Sequence, residues 1–201
     1  MTSGIPQGSV LGPILFVLYI NDMPEVTSVG THTYLFADDT KAFRGIFQQS
    51  DCVGLQMDIH ALQEWSDKWL LCFHPEKCKA MRIGKSRIDK MDYILKDGLP
   101  PMEYVESEKD IRVVIDNKLT FNQHLSEKIN KGVLRRTMEY MDCTAFKLLY
   151  TALVRPHLEY ANQVWCPYLK KHIEAIENVQ RRASKQISGY HHYPMKIDLG
   201  N

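Results

Sequence analysis

Cysteine is sparse. The five thiols, Cys52, Cys72, Cys78, Cys143 and Cys166, are odd in number, widely spaced and without a C-x-x-C, which argues against a disulfide framework and for a reducing compartment. Cys72, His74 and Cys78 lie close together, yet a zinc site would need a fourth ligand from a distant Cys or His. Buried free thiols are the simpler reading. Long hydrophobic runs are also missing: the most apolar stretch, residues 10–20, is too short to span a bilayer. It lacks a basic leader and a small-x-small cleavage site, which argues against a secretory signal. An intracellular location, nucleus or cytoplasm, is therefore expected, with no membrane partner. There is no internal repeat and no low-complexity tract. With 44% hydrophobic and 24% charged residues in 201, the composition is that of an ordinary globular chain rather than a disordered one.

Net charge is small too, at +1, so bulk charge argues neither for nor against nucleic acid. Its distribution is uneven. Residues 1–117 hold twelve Lys and Arg against seventeen Asp and Glu, a balance of −5, and residues 118–201 balance at +6. An acidic first part could hold metal ions while a basic second part follows a phosphate backbone; two ordinary solvated surfaces are the alternative.

The chain is organised around Tyr34-Leu35-Phe36-Ala37-Asp38-Asp39-Thr40. Two adjacent carboxylates stand between an apolar run and the short run Ala42-Phe43, which predicts a β-hairpin with acid at its tip. Neighbouring carboxylates repel and stay ionised comfortably only beside water, a cation or a metal. Alone, the pair reads as a solvated turn.

The remaining elements follow in order. A Gly/Pro/Ser loop over residues 2–9 opens into a helix over 10–20, with Ser9 or Gly12 as cap and Pro13 in its first turn. Its all-round apolar character predicts burial, and the loop before it suits either a tight turn or backbone N–H contacts to a phosphate or base. Leu55, Ile59, Leu62, Trp65 and Trp69 recur at helical spacing behind a Ser50 or Asp51 cap, a core-facing seam. Strands are expected at 77–83, 93–95 and 111–115, with Lys96-Asp97-Gly98 as a turn. From Thr120 the period becomes helical. Thr120 with Gln123 resembles a capping box for a helix to about residue 140, Asp142 caps another over 146–154 bounded by Pro156, and a third runs from Leu169 to Ile187 with Arg181, Arg182 and Lys185 outward. The expected fold is α/β, an α+β arrangement of antiparallel strands and helices, to residue 117, then an all-helical part over 118–190 and a tail over 191–201.

Several motifs occur in a telling order. Gly4-Ile5-Pro6-Gln7-Gly8-Ser9, Gly12-Pro13-Ile14-Leu15-Phe16, Phe36-Ala37-Asp38-Asp39, Trp65 and Pro75-Glu76-Lys77-Cys78-Lys79 resemble motifs B, C and D of reverse transcriptases. Lys109-Asp110, the 113–121 segment Val-Val-Ile-Asp-Asn-Lys-Leu-Thr-Phe, the 154–160 segment Val-Arg-Pro-His-Leu-Glu-Tyr and the 179–183 segment Val-Gln-Arg-Arg-Ala resemble the jockey-like enzymes of non-LTR retrotransposons. The likeness extends from residue 2 to about 189.

That resemblance implies a palm remainder over 1–117 followed by a thumb-like helical region, and RNA-directed DNA polymerase activity on an RNA template, a DNA primer and dNTPs. It implies two Mg2+ ions, with Mn2+ as the alternative, one lowering the pKa of the primer hydroxyl and the other steadying the triphosphate. By the same likeness Asp38 is the metal ligand and Asp39 the supporting one. Pro6, Gln7 and Gly8 face the templating base or incoming nucleotide, and Phe36 lies near the primer end. Lys77 matches a lysine that protonates the leaving pyrophosphate, with a solvated lysine as the alternative. Val113 and Val114 lie on the primer-grip strand, and Arg181, Arg182 and Lys185 meet the nucleic-acid backbone.

The departures are specific. The family's motif A, with its first catalytic aspartate, precedes the Gly-Ile-Pro-Gln-Gly loop and is not in this sequence, and the spare acids Asp22 and Asp116 do not align with it. A palm without that strand leaves the 10–20 helix less well covered, and little or no polymerase activity is expected of this chain, with a non-catalytic nucleic-acid-binding remnant as the alternative. His74 stands where Asn is usual, and Ile111-Arg112 where Leu-Gly is usual, so Arg112 adds bulk and charge at a tight turn.

Overall fold

The computed structural model of this protein describes residues 8–85, 87–132 and 143–184. The chain forms two compact units that divide between Val105 and Glu106. Among the described residues, the first is mixed α/β and the second is helical apart from one hairpin.

In the first unit, helix α1 (Leu11–Ile20) begins where the Leu11 amide donates to Ser9 Oγ at 3.2 Å. The all-round apolar run predicts burial and the missing strand predicts a less well covered helix; the second holds, since only Gly12 and Ile20 are buried and Leu11, Ile14, Leu15, Val17 and Leu18 are at least half exposed. A helix is buried only where other elements cover it. Here the Phe16 and Ile20 flank meets a core of Ile20, Met23, Leu62 and Trp65, joined by Leu35, Ala42 and Trp69. The opposite flank keeps its apolar side chains in solvent.

Strands β1 (Thr31–Phe36) and β2 (Asp39–Arg44) form an antiparallel hairpin, with Thr31 opposite Arg44 and Phe36 opposite Asp39. Helix α2 (Gln49–Trp69) starts two or three residues earlier than the Ser50 or Asp51 cap predicts. Gln48 is the N-cap, and Asp51 accepts the Phe47 and Gln48 amides, each at 2.9 Å, in a reciprocal capping box. Its end is set by Leu70 in the left-handed region, φ 58°. The predicted seam faces the core: Leu62 and Trp65 are buried and Leu55, Ile59 and Trp69 half-buried.

The strands expected at 77–83 and 93–95 shrink. A 3₁₀ turn, Pro75–Lys77, takes the first positions, and β3 (Lys79–Ala80) pairs in parallel with β4 (Glu103–Tyr104). Residues 93–95 form no strand: the Gln56 amide satisfies Ile94 on both sides, donating to its carbonyl at 2.7 Å and accepting its N–H at 2.9 Å. A side chain has replaced the neighbouring strand.

In the second unit, β5 (Ser107–Asp110) and β6 (Val113–Asp116) form an antiparallel hairpin. The strand predicted at 111–115 thus begins at Val113. Ile111 and Arg112 are instead the two-residue loop, with φ of 41° and 64°. Helix α3 (Asn122–Gly132) lacks the predicted reciprocal box of Thr120 and Gln123, although the Thr120 hydroxyl accepts the Asn122 amide at 3.5 Å. Gln123 pairs with Ser107 and Glu127, while Asp116 gathers the amides of Lys118, Thr120 and Phe121 and the Thr120 hydroxyl. The predicted continuation of this helix to residue 140, and the Asp142 cap, lie outside the described residues.

Helix α4 (Cys143–Leu149) passes through a π turn, Tyr150–Val154, into α5 (Arg155–Glu159), so Pro156 does not end the helical course as predicted. It falls in the first turn of α5, where a missing N–H is tolerated after the wider π turn has shifted the register. A short α6 (Asn162–Trp165) and the amphipathic α7 (Lys170–Ser184) follow. Val113, Leu125, Trp165 and Ile176 form the core of this unit.

Candidate active site

The acidic pair lies where the hairpin turns. Ala37 and Asp38 form its two-residue loop, with Ala37 at φ 52°, and Asp39 is the first residue of β2. Both acids are exposed. Because side chains alternate along strands, the register divides the hairpin into two faces. Leu35 and Ala42 lie on the face that meets the core. His32, Tyr34 and Phe36 lie on the other, opposite Phe43, Lys41 and Asp39. Tyr34 and Phe43 stack there at 5.3 Å with 2° between planes, and the His32 ring is also 5.3 Å from Phe43. Asp39 therefore shares an aromatic, solvent-facing surface with Phe36.

The root of the hairpin is anchored in α2. Asp58, 3% exposed, accepts the Thr31 hydroxyl at 2.5 Å and the Ser28 amide at 2.7 Å, and faces Arg44 at 3.2 Å. Burial alone would raise its pKa, but the hydrogen bonds from Thr31 and Ser28 and the Arg44 charge outweigh it and leave the carboxyl below its usual range. The hairpin that carries the acids is thereby tied to the longest helix.

The spare acids have structural partners. Asp22 accepts the Trp65 indole N–H at 3.1 Å. Asp116 caps the entry to α3, and its pKa is lowered: burial raises it, and the Thr120, Phe121 and Lys118 amides more than offset that. No group of three or more His, Cys, Asp or Glu able to hold a metal ion occurs among the described residues. Cys52, Cys72, Cys78 and Cys166 are free thiols. No helix among the described residues is long and apolar enough to cross a membrane.

The other predicted residues are dispersed. Gly8 takes φ 85°, open to a Gly and strained for a side chain; Pro6 and Gln7 lie outside the described residues. Lys77 is exposed at the end of its 3₁₀ turn. Val113 and Val114 are 4% and 5% exposed, so their side chains are core groups and the hairpin meets solvent at its loop instead. Arg181 pairs with Glu177 at 2.8 Å on the α7 surface; the Arg182 side chain and Lys185 lie outside the described residues. Sequence reasoning missed His124 and Tyr160, which grip the β5–β6 hairpin. The only signal was the unusual Ile111-Arg112 pair, which marked that loop.

A mixed α/β unit with two exposed carboxylates at a hairpin turn, followed by a helical unit, is a palm-and-thumb-like arrangement. Residues 1–139 match the family model described as Reverse transcriptase (RNA-dependent DNA polymerase), and the chain belongs to that family. It is similar to the probable RNA-directed DNA polymerase from transposon X-element of Drosophila melanogaster, 27% identical over 209 residues, covering 94% of this chain and 22% of the relative. It is also similar to the RNA-directed DNA polymerase from mobile element jockey of Drosophila funebris, 28% identical over 216 residues, covering 98% and 23%. The jockey polymerase of Drosophila melanogaster is 28% identical over 218 residues, covering 99% and 23%. These relatives agree with the jockey-like, non-LTR resemblance of the motifs. The chain spans less than a quarter of the length of each. No solved structure matches it.

Proposed function

We propose that this chain carries the acidic hairpin and the duplex-holding helices of an RNA-directed DNA polymerase of a jockey-like, non-LTR mobile element, acting on an RNA template, a DNA primer and dNTPs. Residues 1–117 supply the palm portion and 118–190 the thumb-like portion. The observation that carries this reading is the placement of Asp38 and Asp39 at an exposed hairpin tip, rooted in α2 through Asp58, in a chain of this family.

The donors fit Mg2+ or Mn2+ in kind, being hard carboxylate oxygens open to solvent. Two residues do not complete a two-cation centre, and the third carboxylate must come from outside the described residues. Asp38 and Asp39 would hold the cations, which when bound supply charge stabilisation at the attacking and leaving oxygens. Phe36 borders the primer end, Pro6, Gln7 and Gly8 shape the nucleotide side, and Lys77 supplies a proton to the leaving group. Val113 and Val114 support the hairpin that meets the primer, while Arg181, Arg182 and Lys185 follow the phosphate backbone.

Primer extension on an RNA template with Mg2+ and the purified chain tests this. Little incorporation is expected, with Mn2+ binding detectable by electron paramagnetic resonance and lost in Asp38→Ala. Absence of Mn2+ binding would overturn the metal assignment. Robust incorporation abolished by Asp38→Ala would instead show the acid pair to be sufficient.

A second reading, nucleic-acid binding without catalysis, is favoured by the absence of a third ligand among the described residues. It expects salt-sensitive binding that weakens in Arg181→Glu with Arg182→Glu and is unmoved by Asp38→Ala; binding that ignores salt would rule it out.

A further inference from the structure

The β5–β6 loop has a conformation its residues resist. Ile111 and Arg112 connect the paired Asp110 and Val113 with both φ values positive, 41° and 64°. Such loops suit the twist of a hairpin but favour Asn, Asp or Gly, and a β-branched residue there is an outlier. Strained backbone of this kind persists only where surrounding structure over-determines it.

Two hydrogen bonds from outside the hairpin do so. Tyr160, at the end of α5, donates its hydroxyl to the Ile111 carbonyl at 3.0 Å. The Val114 amide donates to His124 Nδ1 at 3.1 Å. That imidazole is 1% exposed and lies 5.2 Å from the Trp165 ring. Accepting at Nδ1 fixes the tautomer, with the ring proton on Nε2. Val113 and Val114 are buried beside it. The stem of the hairpin is therefore fixed at Val114 and its loop at Ile111, while the Arg112 side chain is exposed. A guanidinium is suited to bidentate phosphate contact, and a contact offered from an already ordered element loses less entropy on binding.

We propose that His124 and Tyr160 are positioning residues that hold the β5–β6 hairpin so that Arg112 meets a backbone phosphate of a bound template–primer duplex. This rests on the reading that the second unit binds nucleic acid. Neither residue touches the duplex; each acts through the backbone of the loop or the strand beside it.

The test uses the full chain, a fluorescein-labelled RNA–DNA template–primer duplex and anisotropy over a salt series, with hydrogen exchange of the hairpin amides in parallel. Arg112→Gln is expected to weaken binding and to reduce the salt slope by about one. Tyr160→Phe removes one hydroxyl and is expected to weaken binding about threefold or more while the slope is kept, because the cation remains and only its ordering is lost. His124→Asn returns an acceptor near the Nδ1 position, and His124→Gln carries it one bond further out. The Asn variant should keep both affinity and Val114 protection, and the Gln variant should lose both. Should both His124 variants fail to fold, Tyr160→Phe decides. If Arg112→Gln weakens binding but Tyr160→Phe and His124→Gln bind as the parent does, the positioning role is overturned and the phosphate contact stands. If Arg112→Gln has no effect, the phosphate contact itself is overturned. If the parent chain binds no duplex, the nucleic-acid reading falls and this proposal with it.

Discussion

The guanidinium of Arg44 and the carboxylate of Asp58 face each other at 3.2 Å, joining the last residue of β2 to the middle of α2, with side chains 17% and 4% exposed. The pair is nearly desolvated, and it stands at the root of the hairpin whose tip carries Asp38 and Asp39. Removing one partner leaves a buried charge uncompensated. Asp58→Ala is expected to cost about 3 kcal/mol, read from urea denaturation. The carboxyl titrates below its ordinary value in the folded chain, so its contribution is complete above the unfolded pKa of about 3.9 and is lost as pH falls through the lower folded value. Acid melts should therefore be steeper below about pH 4 for the parent than for Asp58→Asn. Equal acid dependence in the two would assign the effect to other groups.

Asp116 orders the turn that leads into α3. Its oxygens accept the Lys118 amide at 3.0 Å, the Thr120 amide and hydroxyl at 3.1 Å each, and the Phe121 amide at 2.6 Å. Asp116→Ala should cost about 2 kcal/mol, like the upper range of a lost cap, and Thr120→Ala distinctly less because it removes one of the four bonds to Asp116 and the long 3.5 Å contact to the Asn122 amide. A chemical denaturation series compares them. Equal losses would place the cap on Thr120 after all.

Arg112→Gly replaces a side chain in the left-handed region by the residue that tolerates it. A stability gain of about 1 kcal/mol is expected from urea unfolding, together with weaker binding to the template–primer duplex. Stability and binding moving in opposite directions is the signature of strain retained for a contact. A destabilised Arg112→Gly would show that the guanidinium stem supports the hairpin.

Leu18 on α1 is 68% exposed. Leu18→Lys should change thermal stability by no more than about 0.5 kcal/mol, as for other surface substitutions, and should reduce concentration-dependent association in sedimentation velocity, since exposed apolar clusters promote it. A large destabilisation would mean that this flank is covered in the folded chain.

Much of the first unit was legible in residue pattern. The apolar run before Asp38-Asp39 and the short one after it specify a hairpin because alternation of side chains is a local property of a strand. The α2 seam was equally plain, since its apolar spacing has the helical period. The site was less legible. Asp22 looked like a spare acid in a loop, and nothing in its neighbours announced that Trp65, forty-three residues on, would take its oxygen. Val113 and Val114 suggest a surface grip from their motif, but both are buried, Val113 in a core with Leu125 of α3.

By itself, the sequence determined the acid-tipped hairpin, the core-facing seam of α2 and the family to which the motifs belong, because each depends on periodicity, turn chemistry or short ordered motifs. Tertiary structure alone decided that Gln56 replaces a strand beside Ile94, and that Tyr160 and His124 clasp a strained Ile111-Arg112 loop. These features arise from contacts between residues ten to forty-nine positions apart. Such partners are chosen by packing, on which local residue preference carries no information.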